Sequence, residues 1–159
     1  DEGIERFLLE VGDEMKLAGR SARGDDWRVA IESPELAIRG VASALQLTDR
    51  AVATSGDYRN YFEHYGKRYS HSIDPRTGQP VEHDLVSVTV VHESAILADA
   101  WATALLVLGT ERARAVAQVQ GLAVYFISRV NDGFVHASTP GIVPYLLQGG
   151  QAGNKGEAQ

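Results

Sequence analysis

Asp99 and Thr103 stand four residues apart in a run, Ala95 to Leu108, whose other members are mostly apolar. At helical spacing the two project from one face a turn apart. A carboxylate beside a hydroxyl offers oxygen ligands to a hard cation, and a carboxylate set among apolar residues needs a partner. The same spacing also serves an ordinary helix, in which Thr103 bonds back to a carbonyl and Asp99 pairs with an arginine. A second group, His71-Ser-Ile73-Asp74-Pro-Arg-Thr-Gly78, joins an imidazole, a carboxylate and a guanidinium to a turn signal. Asp-Pro starts turns and Thr-Gly closes them. His71 here is a catalyst, a ligand or simply a hydrogen-bonded strand histidine. A third group, Thr54-Ser55-Gly56-Asp57, sets hydroxyls and free N–H groups where a phosphate or sugar could sit, although such turns also close loops without binding anything.

The elements that must position these groups alternate apolar and polar residues, then change period. Phe7–Val11 and Glu14–Ala18 read as two strands around a reversal at Gly12-Asp13, preceded by a short connection or the tail of a helix. Trp27–Ser33 reads as a strand with one wet face, stopped by Pro34. Residues 37–48 and 50–54 carry further strand alternation, with Ser55-Gly56-Asp57 ending the second. Tyr58 to Tyr65 is a tyrosine-rich link, Lys67–Ile73 returns as a strand, and Leu85–Val91 is rich in β-branched residues. From about Ser94 to Leu108 the apolar residues nearly surround the axis, predicting a helix buried on most sides. Gly109-Thr110 then fits a C-cap followed by a new N-cap, and Glu111–Gln120 a second helix. Leu122–Arg129 and Gly133–Ser138 close the chain as a hairpin. The pattern is α+β, an antiparallel sheet covered on one face by two consecutive helices.

With 159 residues, 44% of them hydrophobic, the chain can bury one core, so residues 1–148 are expected to form one domain. Residues 149–159 have little to bury and are expected to be a disordered tail. A net charge of −6 and the lack of a basic stripe argue against nucleic acid as a partner. Cysteine is absent, which removes disulfides and thiolate chemistry. The five histidines lack zinc-ligand spacing. The tyrosines at 58, 61, 65 and 69 read as core or rim. No run approaches the roughly eighteen apolar residues of a membrane helix. The start at Asp1, without methionine, raises the expectation of an upstream segment.

Four motifs occur together: Thr54-Ser-Gly-Asp-Tyr58, Lys67-Arg-Tyr-Ser-His-Ser-Ile-Asp-Pro-Arg-Thr-Gly78, Ser87-Val-Thr-Val90 and Ala98-Asp-Ala-Trp-Ala-Thr-Ala-Leu-Leu-Val-Leu-Gly109. In this order and spacing they resemble the C-terminal half of the ApbE family of FAD:protein FMN transferases, with Glu10-Val-Gly12 and Trp27 to Pro34 as further anchors. The resemblance runs from about Gly3 to Tyr145. It implies a T-fold-like domain and an enzyme that uses Mg2+, cleaves the pyrophosphate of FAD, passes FMN to a threonine or serine hydroxyl of a target protein and releases AMP. The acceptor would be a flavin-accepting subunit of a redox complex.

Carried over residue by residue, the resemblance makes Asp99 and Thr103 the side-chain ligands of Mg2+, with a backbone carbonyl of the same turn at Ala102. It sets His71 and Ile73 beside the flavin nucleotide, together with Asp74 and with Thr54, Ser55 and Gly56. His71 is then the candidate base for the acceptor hydroxyl, or a residue orienting the pyrophosphate. Family members are usually exported and often lipid-anchored, which implies an extracytoplasmic, periplasmic location. Two departures matter. Gly12-Asp13-Glu14 replaces a usual Gly-Gly pair, and the family's N-terminal half, with its lysine-glycine motif and a further metal ligand, is not in the sequence. The chain is therefore expected to act as a C-terminal fragment that needs an upstream segment or self-associates. Two other readings stand beside the transferase: a flavin-trafficking or FAD-hydrolysing module that modifies no protein, and a structural domain that has lost nucleotide binding.

Overall fold

The computed structural model describes residues 3–35, 40–57, 61–64 and 67–147, with the side chains of 61–64 and 67–69 outside the description. The expected tail at 149–159, part of the Tyr58–Tyr65 link and the tyrosine side chains at 58, 61, 65 and 69 lie outside the described residues.

Six strands form one antiparallel sheet: β1 (Phe7–Val11), β2 (Glu14–Ala18), β5 (Ala51–Gly56), β10 (Leu85–His92), β11 (Ala123–Val130) and β12 (Gly133–Ser138). Their spatial order is β1-β2-β5-β10-β11-β12. The middle strand β10 is buried along seven of its eight residues, as its Val-rich sequence requires of a strand covered on both faces. Helices α1 (Ala95–Leu108) and α2 (Thr110–Val119) lie on one face. There Ala51, Ala53, Val88, Val90, Val124 and Phe126 pack against Ala98, Ala102, Leu105, Leu106, Ala113 and Ala117. The chain is α+β, with two consecutive helices on an antiparallel sheet.

The other face has a cover that the alternation alone did not place. Strands β3 (Trp27–Glu32) and β4 (Val41–Leu47) pair as a separate ribbon. Val29, Ile31, Leu45 and Leu47 of that ribbon meet Leu17, Val52, Val86, Val91, Tyr125 and Ile127 of the sheet. Val29 and Ile31 are buried while Arg28, Ala30 and Glu32 are exposed, the alternation of a strand with one wet face.

Four boundaries differ from expectation. Tyr61–His64 is not a link but strand β6, paired with β7 (Lys67–Ser70). The expected strand Lys67–Ile73 breaks after Ser70, and Ile73–Asp74 forms β8 with β9 (Gln79–Pro80), because the Asp-Pro turn folds this segment back on itself. Thr110 does not cap α2. Gly109 both ends α1 and precedes α2 at φ +75°, leaving Thr110 as the first helical residue with its hydroxyl 3.0 Å from Ser128 Oγ.

The fourth concerns α1, which is buried on one side rather than most. Ala98, Ala102, Leu105 and Leu106 form its buried face, whereas Ile96 is 81% and Leu97 46% exposed and Ala100 and Ala104 are also exposed. A single sheet can cover only one side of a helix, so a uniformly apolar helix leaves the rest of its circumference uncovered.

Candidate active site

One end of the sheet gathers the candidate groups. Helix α1 is anchored at its start by Ser94, whose Oγ accepts a 3.4 Å hydrogen bond from the N–H of Leu97. Its buried alanines let the helix lie close against β5 and β10. On that frame Asp99 and Thr103 are both exposed, one turn apart, on the flank next to the buried face. The expectation that Asp99 sits in apolar surroundings is corrected here: the side chains flanking it in sequence point elsewhere around the axis, and the carboxylate faces out. Among the described residues, no arginine or lysine pairs with it.

Strand β5 contributes the neighbour. Its side chains alternate, so Ala51 and Ala53 enter the core under the helices and Ser55 continues the same face. Ser55 Oγ lies 3.0 Å from Thr103 Oγ1. Thr54 points to the opposite side, with Val52, and its hydroxyl is 2.9 Å from that of Thr89, its direct cross-strand partner. Period-two geometry thus separates two adjacent candidates: Ser55 joins Asp99 and Thr103, and Thr54 does not. The expected turn with free N–H groups at 54–57 is corrected here: Thr54, Ser55 and Gly56 are strand residues, paired opposite Thr89, Val88 and Ser87 because β10 extends that far.

Strand β8 lies against α1, so the turn after it comes to the same region. His71 and Ile73 are exposed, Ile73 to 48%. Asp74 is committed to its own turn. Its Oδ2 accepts from Arg76 Nη2 at 2.6 Å, and Oδ1 accepts from Arg76 Nε and from the Arg76 N–H, each at 2.9 Å. The Asp74 carbonyl closes the turn by accepting from the N–H groups of Thr77 and Gly78. The guanidinium bond first, and then the Arg76 N–H, bring the Asp74 carboxyl down to about 2, with Arg112 of α2 adding a weaker pull. Composition of the turn motif alone leaves the Arg76 guanidinium without an assigned partner. The signal was available, since a charge two residues beyond an aspartate in an Asp-Pro turn is within reach of it.

The donor set fits a small hard cation. Asp99 offers a carboxylate and Thr103 a hydroxyl, both exposed, whereas Ala102 is wholly buried in mid-helix, where its carbonyl serves the helix's own hydrogen bonding, which speaks against the expected backbone ligand. Among the described residues no three carboxylates or imidazoles converge, so these residues contribute few ligands. Mg2+ tolerates that, because it keeps water and substrate phosphates in its shell.

The ApbE family model matches residues 1–126. This chain belongs to the ApbE family. It is similar to the FAD:protein FMN transferase of Vibrio cholerae, with 46% identity over 145 residues covering 91% of this chain and 43% of the relative. The protein of the same name from Escherichia coli is 45% identical over 146 residues, covering 92% of this chain and 42% of its own. Among solved structures, the apo flavinyl transferase ApbE of Pseudomonas stutzeri superposes with a TM-score of 0.76 at 46% identity, over 88% of this chain and 43% of that one. The flavin transferase ApbE of Vibrio cholerae gives 0.79 at 41%, over 91% and 46%. The chain therefore spans less than half the length of these ApbE relatives.

Proposed function

We propose that this chain carries the metal-ligating part of a flavin transferase that moves FMN from FAD onto a threonine or serine hydroxyl of an acceptor protein, a redox-complex subunit, with release of AMP. The observation that carries the reading is the placement of Asp99, exposed and without a cationic partner among the described residues, one turn before a Thr103 hydroxyl tied to Ser55. Family membership supplies the reaction class, and the oxygen-only donor set agrees with it.

In this reading Asp99 and Thr103 hold Mg2+, which when bound offsets the negative charge of a pyrophosphate and of the departing AMP. His71 and Ile73, both exposed next to the β8 turn, bound the nucleotide. The turn locked by Asp74 and Arg76 keeps that segment in place, and the end of β5, from Thr54 to Gly56, lies on the nucleotide's phosphate side. The acceptor oxygen bonds to the phosphorus on the FMN side, and the bond from that phosphorus to the bridging oxygen breaks. AMP leaves with the bridging oxygen, and the acceptor's proton passes to His71.

The remaining surface of the site comes from a polypeptide segment outside this sequence, for which the uncovered apolar side of α1 provides a seat beside Asp99 and Thr103. The test is mass spectrometry of an acceptor protein incubated with FAD, Mg2+ and this chain, with and without the N-terminal half of an ApbE relative. A covalent FMN adduct formed with the complement is the expected outcome. Conversion of FAD to FMN and AMP with no adduct would replace transfer by simple hydrolysis.

A further inference from the structure

We infer that Ser55 is a positioning residue for the metal site: it fixes the Thr103 hydroxyl so that a lone pair is left for the cation. The inference rests on the reading of Asp99 and Thr103 as cation ligands.

The two ends of the Ser55–Thr103 bond are held very differently. Strand β5 is paired on both sides, with β10 through Ser55↔Val88 and with β2 through Ala53↔Glu14, and its neighbouring alanines are packed in the core. The Ser55 backbone is thus fixed by the sheet. Thr103 is an exposed residue on the open flank of α1. A threonine in a helix divides between two χ1 rotamers, one of which returns its hydroxyl to a carbonyl of the preceding turn. In that rotamer the oxygen is occupied by the helix itself. Here the Thr103 hydroxyl instead meets Ser55 Oγ at 3.0 Å, and among the described residues it makes no bond to a helix carbonyl.

The chemistry of ligation adds a second demand. A hydroxyl that binds a cation through a lone pair keeps its proton, and the cation makes that proton more acidic and in greater need of an acceptor. Ser55 Oγ is at hydrogen-bond distance to accept it. Outer groups of this kind orient metal ligands and typically change affinity by ten- to a hundred-fold when removed. The adjacent Thr54 cannot substitute, because the strand turns it to the other face, where Thr89 engages it.

The test uses the 159-residue chain complemented by the N-terminal half of an ApbE relative, with Mn2+ as the probe, its free fraction read by electron paramagnetic resonance, alongside NMR couplings of the 159-residue chain that report the Thr103 χ1 angle without metal. Ser55→Ala should weaken Mn2+ binding about ten-fold and move the Thr103 couplings toward a rotamer average. Ser55→Thr, which restores a hydroxyl, should recover both. If Ser55→Ala binds Mn2+ as the unaltered chain does while Asp99→Asn does not, Ser55 merely ties β5 to α1 and the inference falls alone. If the unaltered chain binds no Mn2+, or Asp99→Asn binds it equally well, the metal reading falls and takes the inference with it.

Discussion

A β-carbon on Gly109 would lie 3.0 Å from Cδ2 of His83, so the imidazole of the β9–β10 connection occupies the space that any other residue at the α1–α2 junction would need. Gly109 also sits at φ +75° and ψ 166°, a conformation that essentially only glycine adopts. Both ring nitrogens of His83 are buried there without a hydrogen-bond partner among the described residues. The ring serves as a packing surface, and the junction it braces sets the direction of α2 relative to α1.

Gly109→Ala should therefore lower stability by about 2 kcal/mol or more, from backbone strain and displacement of the ring together. Thermal or urea unfolding measures this. A loss under about 0.5 kcal/mol, the level of an ordinary surface substitution, would show that the junction relaxes freely.

Asp99→Asn keeps the shape of an exposed side chain and removes the charge that a hard cation requires. Its melting temperature should stay near that of the unaltered chain, and FAD cleavage in the complemented enzyme should drop by about two orders of magnitude or more. Thr103→Val exchanges a hydroxyl for a methyl and should cost roughly ten-fold. Steady-state AMP release at fixed Mg2+ distinguishes the two. Normal turnover by Asp99→Asn would refute the ligand assignment.

The Asp74–Arg76 clasp gives the β8 turn a defined pH window. Asp74 is depressed from its usual 3.8 to about 2 in the folded chain, so the unfolded form takes up its proton at higher pH than the folded form does. The clasp's contribution is complete above the unfolded value, shrinks as pH falls toward the folded one, and is gone below it. A carbon-detected NMR titration of the Asp74 carboxyl should place its midpoint well below those of exposed aspartates, and Arg76→Ala should return it toward 3.8. A midpoint unaffected by Arg76→Ala would refute the clasp.

Strand and helix positions were readable because burial imposes period. Val29 and Ile31 alternate with charges, Leu85 to Val91 run apolar without a long break, and both features survive in the fold. Asp99 and Thr103 share a face by spacing alone. What spacing could not provide was register. The separation of Thr54 from Ser55 depends on which face of β5 lies under α1, and the Thr54–Thr89 pair depends on how β5 meets β10. Nor could composition say how many sides of α1 have neighbours, since Ile96 and Leu106 are equally apolar in the sequence and differ only in what the chain brings against them. Thr110 misled for a local reason: threonine is a good N-cap, but a glycine one residue earlier took the capping position and left the hydroxyl to Ser128.

The uncovered side of α1 carries the last prediction. Ile96 and Leu97 are exposed at 81% and 46%, and on the edge strand β1 Leu9 and Val11 are exposed at 57% and 66%. Apolar side chains on a helix face and on an unpaired sheet edge favour association with whatever fits them. At micromolar concentration the isolated chain should self-associate reversibly, as light scattering would report. It should also bind FAD weakly, because a nucleotide that size needs several walls and this chain spans less than half the length of its ApbE relatives. Replacing Ile96 and Leu97 together by lysine should shift the chain toward monomer and leave its unfolding midpoint nearly unchanged, since neither side chain is in the core. The same double change should prevent activation by the N-terminal half of an ApbE relative, if that half seats on this face. A monomeric chain that binds FAD tightly and transfers FMN unaided would show that α1 needs no cover and that this polypeptide completes the site by itself.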